Sequence, residues 1–392
     1  MGKVSNPYNL EIKDDYNSYA EIKKSYNYDG VYGPIPDENG FVNLDYYARD
    51  YIADYANVTS IPEENQKYLD SGILPISMNN SFSGLTMCTE IDLSKLNVSH
   101  CKKMNYLFYK SDSKDIEVPS MNIIGIEDWN TISLENIDNL LSGTKSTNEL
   151  NLSKWNVTNV ISLINCFDDT EDIPSLNLSN WNLAKFNTFN NLFGGYTNND
   201  PEGNLQTFCH KINMSNWNTS HITDLSTMFY YCSTLEELNV SRWDVSNITN
   251  VTKMFAGDSE GLGAESQLKT IIGLETWDIS NWKTLDNFLV RAFHLEKFDI
   301  STWNTKNITS FNSTFAAMCS GNWQVTLEDV DIKFPIFDMT NCISVDSMFN
   351  DSYSLILTKY KIHFKNVPRS LNLELIHYNG KPENIIIDNY ID

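Results

Sequence analysis

Leu150-Asn151-Leu152-Ser153-Lys154-Trp155-Asn156-Val157-Thr158-Asn159-Val160 is restated 88 residues on as Leu238-Asn239-Val240-Ser241-Arg242-Trp243-Asp244-Val245-Ser246-Asn247-Ile248. Similarity of this kind at a fixed period marks a repeat architecture, so it is followed along the chain first. With the tryptophan or its equivalent as anchor, nine copies stand at Leu96, Trp129, Trp155, Trp181, Trp217, Trp243, Trp277, Trp303 and Phe337. The intervals are 33, 26, 26, 36, 26, 34, 26 and 34 residues. The unit is therefore 26 residues, lengthened in four places by 7 to 10.

The positions five and three before each anchor are apolar in all nine copies, with a different residue between them. Alternation of period two predicts a short strand with one buried face. Further on, Leu225, Met228 and Phe229 fall at i, i+3 and i+4, as do Val251, Met254 and Phe255. That spacing predicts one helical or 3₁₀ turn burying a single side. A strand plus a turn cannot bury its own apolar face, but stacked copies can. The expected fold is a leucine-rich-repeat-like solenoid of about nine right-handed coils. A parallel sheet lies on one side, short helical or 3₁₀ turns on the other, and a cap at each end.

The phrase Leu-x-Leu-Ser-x-Trp-Asn-x-Ser/Thr-x-Ile/Val-Thr, followed by Met-Phe, resembles the BspA-like leucine-rich-repeat surface proteins, including the repeats of mycoplasma-type surface lipoproteins. Residues 213–229 and 239–255 match it best, and the resemblance covers 85–360. It implies an extracellular, non-enzymatic, adhesive protein. Similar repeats occur in some virus-encoded proteins.

The repeats leave two ends. Residues 1–85 are rich in tyrosine and read as an N-terminal cap or a docking segment; 86–358 form the repeat array; 359–392 form a C-terminal cap of strands. Within that cap, 361–364 and 374–378 read as strands, with Asn379-Gly380 as a turn.

One residue after the anchors stand Asn97, Asn130, Asn156, Asn182, Asn218, Asp244, Asp278, Asn304 and Asp338. Nine Asn or Asp in nine copies are assigned to the turn itself, because their side chains satisfy nearby backbone groups. The residues between the two strand apolars, among them Asn151, Asn177, Asn213, Asn239 and Asp299, alternate away from the core and form a polar stripe. Gly125 and Gly273 take the same place in two copies. The four insertions fall on one side and carry Tyr196 and Trp323. The stripe and the insertions are the candidate ligand-binding surface.

Composition narrows the function. Lys plus Arg is 28 and Asp plus Glu is 51, a formal charge of −23, which argues against a nucleic-acid partner. At 41% hydrophobic and 12% aromatic residues the chain is not disordered throughout. No stretch is apolar enough to enter a membrane, and no secretory leader is legible at the start. Seven cysteines without a C-x-x-C pair predict buried free thiols rather than zinc or a disulfide framework. The acidic run Asp168-Asp169-Thr170-Glu171-Asp172 lacks the ligand pattern of an EF-hand and leaves calcium open. His100, His210, His221, His294, His363 and His377 are dispersed, and no nucleophile elbow, zinc helix or phosphate loop is present.

The expectation is a protein without cofactor or catalysis that binds a protein or glycan ligand through the solenoid, displayed on a virus particle or cell surface. The alternatives are a structural virion protein attached through residues 1–85, and an intracellular interaction scaffold.

Overall fold

The computed structural model describes residues 32–109, 119–142, 144–167, 170, 173–189, 192–193, 209–230, 232, 234–257, 266–319, 330–350, 359–377 and 382–392. Its strands are short and parallel. β1 (Phe41–Asn43) pairs with β2 (Leu74–Ser77), and β3 (Glu90–Asp92) with β4 (Asn122–Ile124). β5 (Leu150–Asn151), β6 (Leu176–Asn177) and β7 (Ile212–Asn213) form a second group. β8 (Glu237–Asn239), β9 (Thr270–Ile272), β10 (Lys297–Asp299) and β11 (Asp331–Lys333) form a third. Within each group a strand lies beside its counterpart in the next repeat, so equivalent residues are neighbours: Leu150 against Leu176, and Leu176 against Ile212.

Behind the strands the anchors stack. Trp217 and Trp243 lie 6.5 Å apart with planes 4° from parallel; Trp243 and Trp277 lie 6.3 Å apart, and Trp277 and Trp303 6.4 Å. Trp129 stacks on Trp155, and Trp181 tilts against Phe167 instead. A second column runs through Phe167, Phe193, Phe229 and Phe255. All of these rings are buried. Offset stacking adds to the area they remove from water. The indole N–H groups also find partners: Trp155 Nε1 donates to Ile126 C=O, Trp181 Nε1 to Leu152 C=O, and Trp217 Nε1 to Leu178 C=O, each one repeat back.

The register differs from the sequence expectation in two repeats. Ile91 pairs with Ile123 and Leu238 with Ile271, so Ile124 and Ile272 take the outward stripe slot there, not Gly125 and Gly273. Ile272 is accordingly exposed. The cause is the turn that follows. Gly125 (φ 87°) and Gly273 (φ 98°) enter 3₁₀ turns, Ile126–Asp128 and Leu274–Thr276, that use one residue more than the turn of the other repeats.

The Met-Phe segment is a hydrogen-bonded turn rather than a helix. Met228 N–H donates to Leu225 C=O, but Thr227 has φ 56°, which ends any helical path. The same slot, ten residues after the anchor, is left-handed in Tyr106, Asn139, Asn165, Lys253, Asn287, Ser313 and Ser347. From this slot the N–H of Tyr106, Asn139, Thr227, Asn287 and Ser313 reaches the next repeat, as Thr227 N–H does to Thr252 C=O. A ladder of asparagines adds to it: Asn247 Nδ2 donates to Ser220 C=O, Asn281 Nδ2 to Ser246 C=O, Asn307 Nδ2 to Ser280 C=O.

These bonds continue into the N-terminal region. Tyr46 and Asn80 are left-handed like the repeat turns; Ala48 N–H donates to Ser81 C=O, and Phe82 N–H to Leu107 C=O. Tyr47 is buried and its hydroxyl donates to Tyr32 C=O. Two helices, α1 (Tyr47–Tyr51) and α2 (Glu63–Leu69), complete this end. At the other end β12 (Ile336–Asp338) pairs with β13 (Ile362–Lys365), β14 (Val367–Pro368) with β16 (Tyr390–Ile391), and β15 (Ile385–Ile387) extends the β12–β13 pair. The expected strand over 374–378 is instead a 3₁₀ turn, Leu373–Ile376, because Asn372 caps it by accepting from Glu374 N–H. Asn379-Gly380 lies outside the described residues.

All seven cysteines are buried free thiols. Burial pushes the Cys101 thiol up to about 12 and the Cys342 thiol up to about 11. Such thiols are inert because the thiolate is the reactive form. Iodoacetamide should leave the native protein unmodified and add seven adducts in denaturant, read by intact mass. Rapid native labelling at any one cysteine would contradict its placement.

Candidate functional site

The stripe side chains build their own turns. Asn151 Oδ1 accepts from Ser153 N–H and Oγ, Asn177 Oδ1 from Ser179 N–H, Asn213 Oδ1 from Ser215 N–H, and Asn239 Oδ1 from Ser241 N–H and Oγ. Each closes the chain from strand to anchor. The anchor-adjacent residues do the same one turn later, in all nine repeats, as Asn156 does for Thr158 N–H and Asp338 for Thr340 N–H. In Asp244 the Ser246 hydroxyl and N–H together hold the carboxyl below the usual carboxylate range. Asp299 spends one oxygen on Ser301 and the other on Lys333, 3.0 Å away.

For the asparagines this has a chemical consequence. The carbonyl oxygen is consumed inside the repeat, so the amide nitrogen is the group left for a ligand. Asn151, Asn213 and Asn239 are exposed and Asn177 is half-buried. Tyr196 and Trp323, with the tips of the four insertions, lie outside the described residues, as do four of the five residues in the run at 168–172.

Strand pairing along the stripe breaks between β4 and β5 and again between β7 and β8, and the second break opens a cleft. Leu152 N–H donates to Asn177 C=O, Leu178 N–H to Asn213 C=O, and Val240 N–H to Ile272 C=O. The corresponding bond from Met214 N–H to Asn239 C=O is not made. β7 and β8 share a single bridge, Lys211 with Glu237, and then part. The result is a wedge of about 410 Å³ lined by Ile212, Asn213, Met214, Ser215, Asn239, Ser241, Arg242 and Trp243. Trp243 shows the same parting from inside. Its Nε1 is buried and has no hydrogen-bond partner, whereas Trp217 and Trp277 donate to the preceding repeat. The equivalent acceptor would be Met214 C=O, on the opposite wall.

Two of the expected site residues, Asn213 and Asn239, thus come together across one cleft; Asn151, Asn177 and Asp299 lie outside it. Ser215 and Ser241 join the site from positions that the sequence places beside the stripe, Arg242 from the surface and Trp243 from the core. Only Arg242 carries a signal of its own, as the one arginine immediately before an anchor. Its Nη1 donates to Asn216 Oδ1 at 3.2 Å.

Among the described residues no three His, Cys, Asp or Glu side chains are grouped to hold a metal ion. Nor is any helix there long and apolar enough to cross a membrane.

No curated protein and no solved structure matches the chain. One family does, over residues 114–208, 203–264 and 261–373, which together make up more than half of the sequence and lie within the repeats and the start of the C-terminal cap. The chain belongs to the family described as Mycoplasma protein of unknown function, DUF285.

Proposed function

We propose that this chain is a non-enzymatic recognition module, built as a right-handed leucine-rich-repeat-like solenoid and displayed on a cell or particle surface to bind a protein or glycan. The observation that carries the reading is the stripe of amides at equivalent positions, fixed by their own turns and facing outward. Groups held by a rigid scaffold bind without first being ordered. The in-register parallel pairing of successive repeats supports the solenoid, and family membership fits the surface-protein resemblance without specifying a ligand.

In the alternative, a structural particle protein, the Tyr-rich end is the attachment point. Its described part, with Tyr47 and Tyr68 packed together, serves to cover the first repeats.

The test is direct. The purified chain, labelled, is applied to a glycan array and to intact cells. Saturable binding to a defined set of glycans or to a cell-surface protein is expected. Absence of binding to every surface, with the chain recovered only in assembled particles, would replace recognition with the structural reading.

A further inference from the structure

The wedge between β7 and β8 has a chemistry that the rest of the stripe lacks. Asn213 and Asn239 present amide nitrogens from opposite walls, since each Oδ1 is held by the serine two residues on. Arg242 adds a guanidinium and Ser215 a hydroxyl. The N–H of Met214 has lost its cross-repeat acceptor, and the indole N–H of Trp243 has none. Donors dominate, and the lining contains no acidic side chain. Such a set disfavours a cation and favours an oxyanion, whose charge strengthens every hydrogen bond made to it.

Shape narrows the class. The Lys211–Glu237 bridge holds the two strands at bonding distance at one end, so no extended peptide strand can be laid between them. The ligand must enter end-on as a compact group. Both faces of the Trp243 ring are covered, by Trp217 and Trp277, which removes the stacking platform a neutral sugar ring would use. The lining mixes these donors with apolar surface from Ile212, Met214 and Trp243, so a peptide's terminal carboxylate is the competing ligand and is set against the sugar in the test below. A residue bearing a carboxylate for the donors and hydroxyls for the free carbonyl of Asn239 uses both kinds of polar group on the walls.

We infer that this wedge binds the terminal acidic sugar of a glycan, its carboxylate held by the Asn213 and Asn239 amides and Arg242. The inference takes the recognition reading as its premise and names its ligand class. Beyond the bridge no cross-strand bond joins Met214 to Asn239, so a small opening suffices to admit the group to the indole edge.

The probe is sodium glucuronate, titrated into the full chain while the indole N–H signals are followed by NMR. Trp243→Phe assigns the signal by its loss and keeps a ring in the stack. Asn213→Asp with Asn239→Asp tests the charge. Asp92 and Asp299 already form this turn in other repeats, so the fold is retained while two carboxylates enter the wedge.

Glucuronate should move the Trp243 signal, glucose should not, and the double variant should bind glucuronate at least about tenfold more weakly. No movement with glucuronate, equal movement with glucose, or unchanged binding by the double variant overturns the inference. A dipeptide with a free carboxylate that binds as well as glucuronate overturns the sugar assignment. Cell-surface binding that survives in the double variant, with no glucuronate effect on the native chain, sinks the wedge and leaves the recognition reading standing. A chain that takes up glucuronate as expected yet binds no cell or glycan has the opposite meaning.

Discussion

Trp217→Ala should lower the free energy of unfolding by about 3–5 kcal/mol, the range for truncating a large aromatic in a close-packed core. Trp217 is 3% exposed. Its ring lies between Phe193, at 6.1 Å, and Trp243, at 6.5 Å, and its indole nitrogen donates to Leu178 C=O at 2.8 Å. The substitution removes the ring from both neighbours and leaves a buried carbonyl with one bond fewer. A cavity there cannot close easily, because the repeats on either side are held by their own backbone bonds. Denaturant unfolding of the variant beside the native chain reads the difference. Unchanged stability would mean that the tryptophan column is not the core.

Gly273→Ala is the second large effect. Gly273 has φ +98°, and a Cβ placed on it would lie 2.2 Å from Ser241 Cα and 2.3 Å from Ser241 N. The obstacle is backbone, so the repeats anchored at Trp243 and Trp277 must move apart. Overpacking of this kind costs about 1–3 kcal/mol, and the left-handed conformation adds about 1–2 kcal/mol. Gly40→Ala is the internal control. Gly40 has φ +83° but nothing within 4 Å of the added carbon, so it carries the conformational cost alone. Gly273→Ala should therefore melt well below Gly40→Ala. Equal melts would show that the close approach at Ser241 does not exist.

The strand face was legible because its signal is repeated nine times. Leu150, Leu152 and Trp155 point the same way as Leu238, Val240 and Trp243, and alternation of period two leaves little choice of buried side. The role of Asn156 and its counterparts was readable for the same reason. The left-handed slot was not. It holds Tyr106, Thr227 and Ser313 as well as asparagine, and no glycine marks it; hydrogen bonds to the next repeat hold those residues there against their local preference. The slip of register at Ile124 and Ile272 was hidden because Ile123-Ile124 and Ile271-Ile272 are apolar at both candidate positions. Only the extra residue of the glycine turn decides between them.

The candidate site was legible by half. Alternation placed Asn213 and Asn239 on the outer face, but nothing in Ile212-Asn213-Met214 distinguishes that strand from Leu176-Asn177-Leu178, which pairs fully. The parting is a property of two repeats together. The Tyr196 and Trp323 readings fall outside the described residues.

Two kinds of bond recur between successive repeats, each joining equivalent slots. The anchor indole reaches the carbonyl three residues before the preceding anchor in six of the nine repeats, and the asparagine four residues after an anchor reaches back in the same way. Whole units are therefore interchangeable parts. Losing or duplicating one unit in frame presents each neighbour with the groups it already bonds to, while a cut of any other length misaligns every rung beyond it. Energetics in such an array reduce to a sum over adjacent pairs. A gene built this way can change the reach of its product by recombination between copies, without redesigning either end.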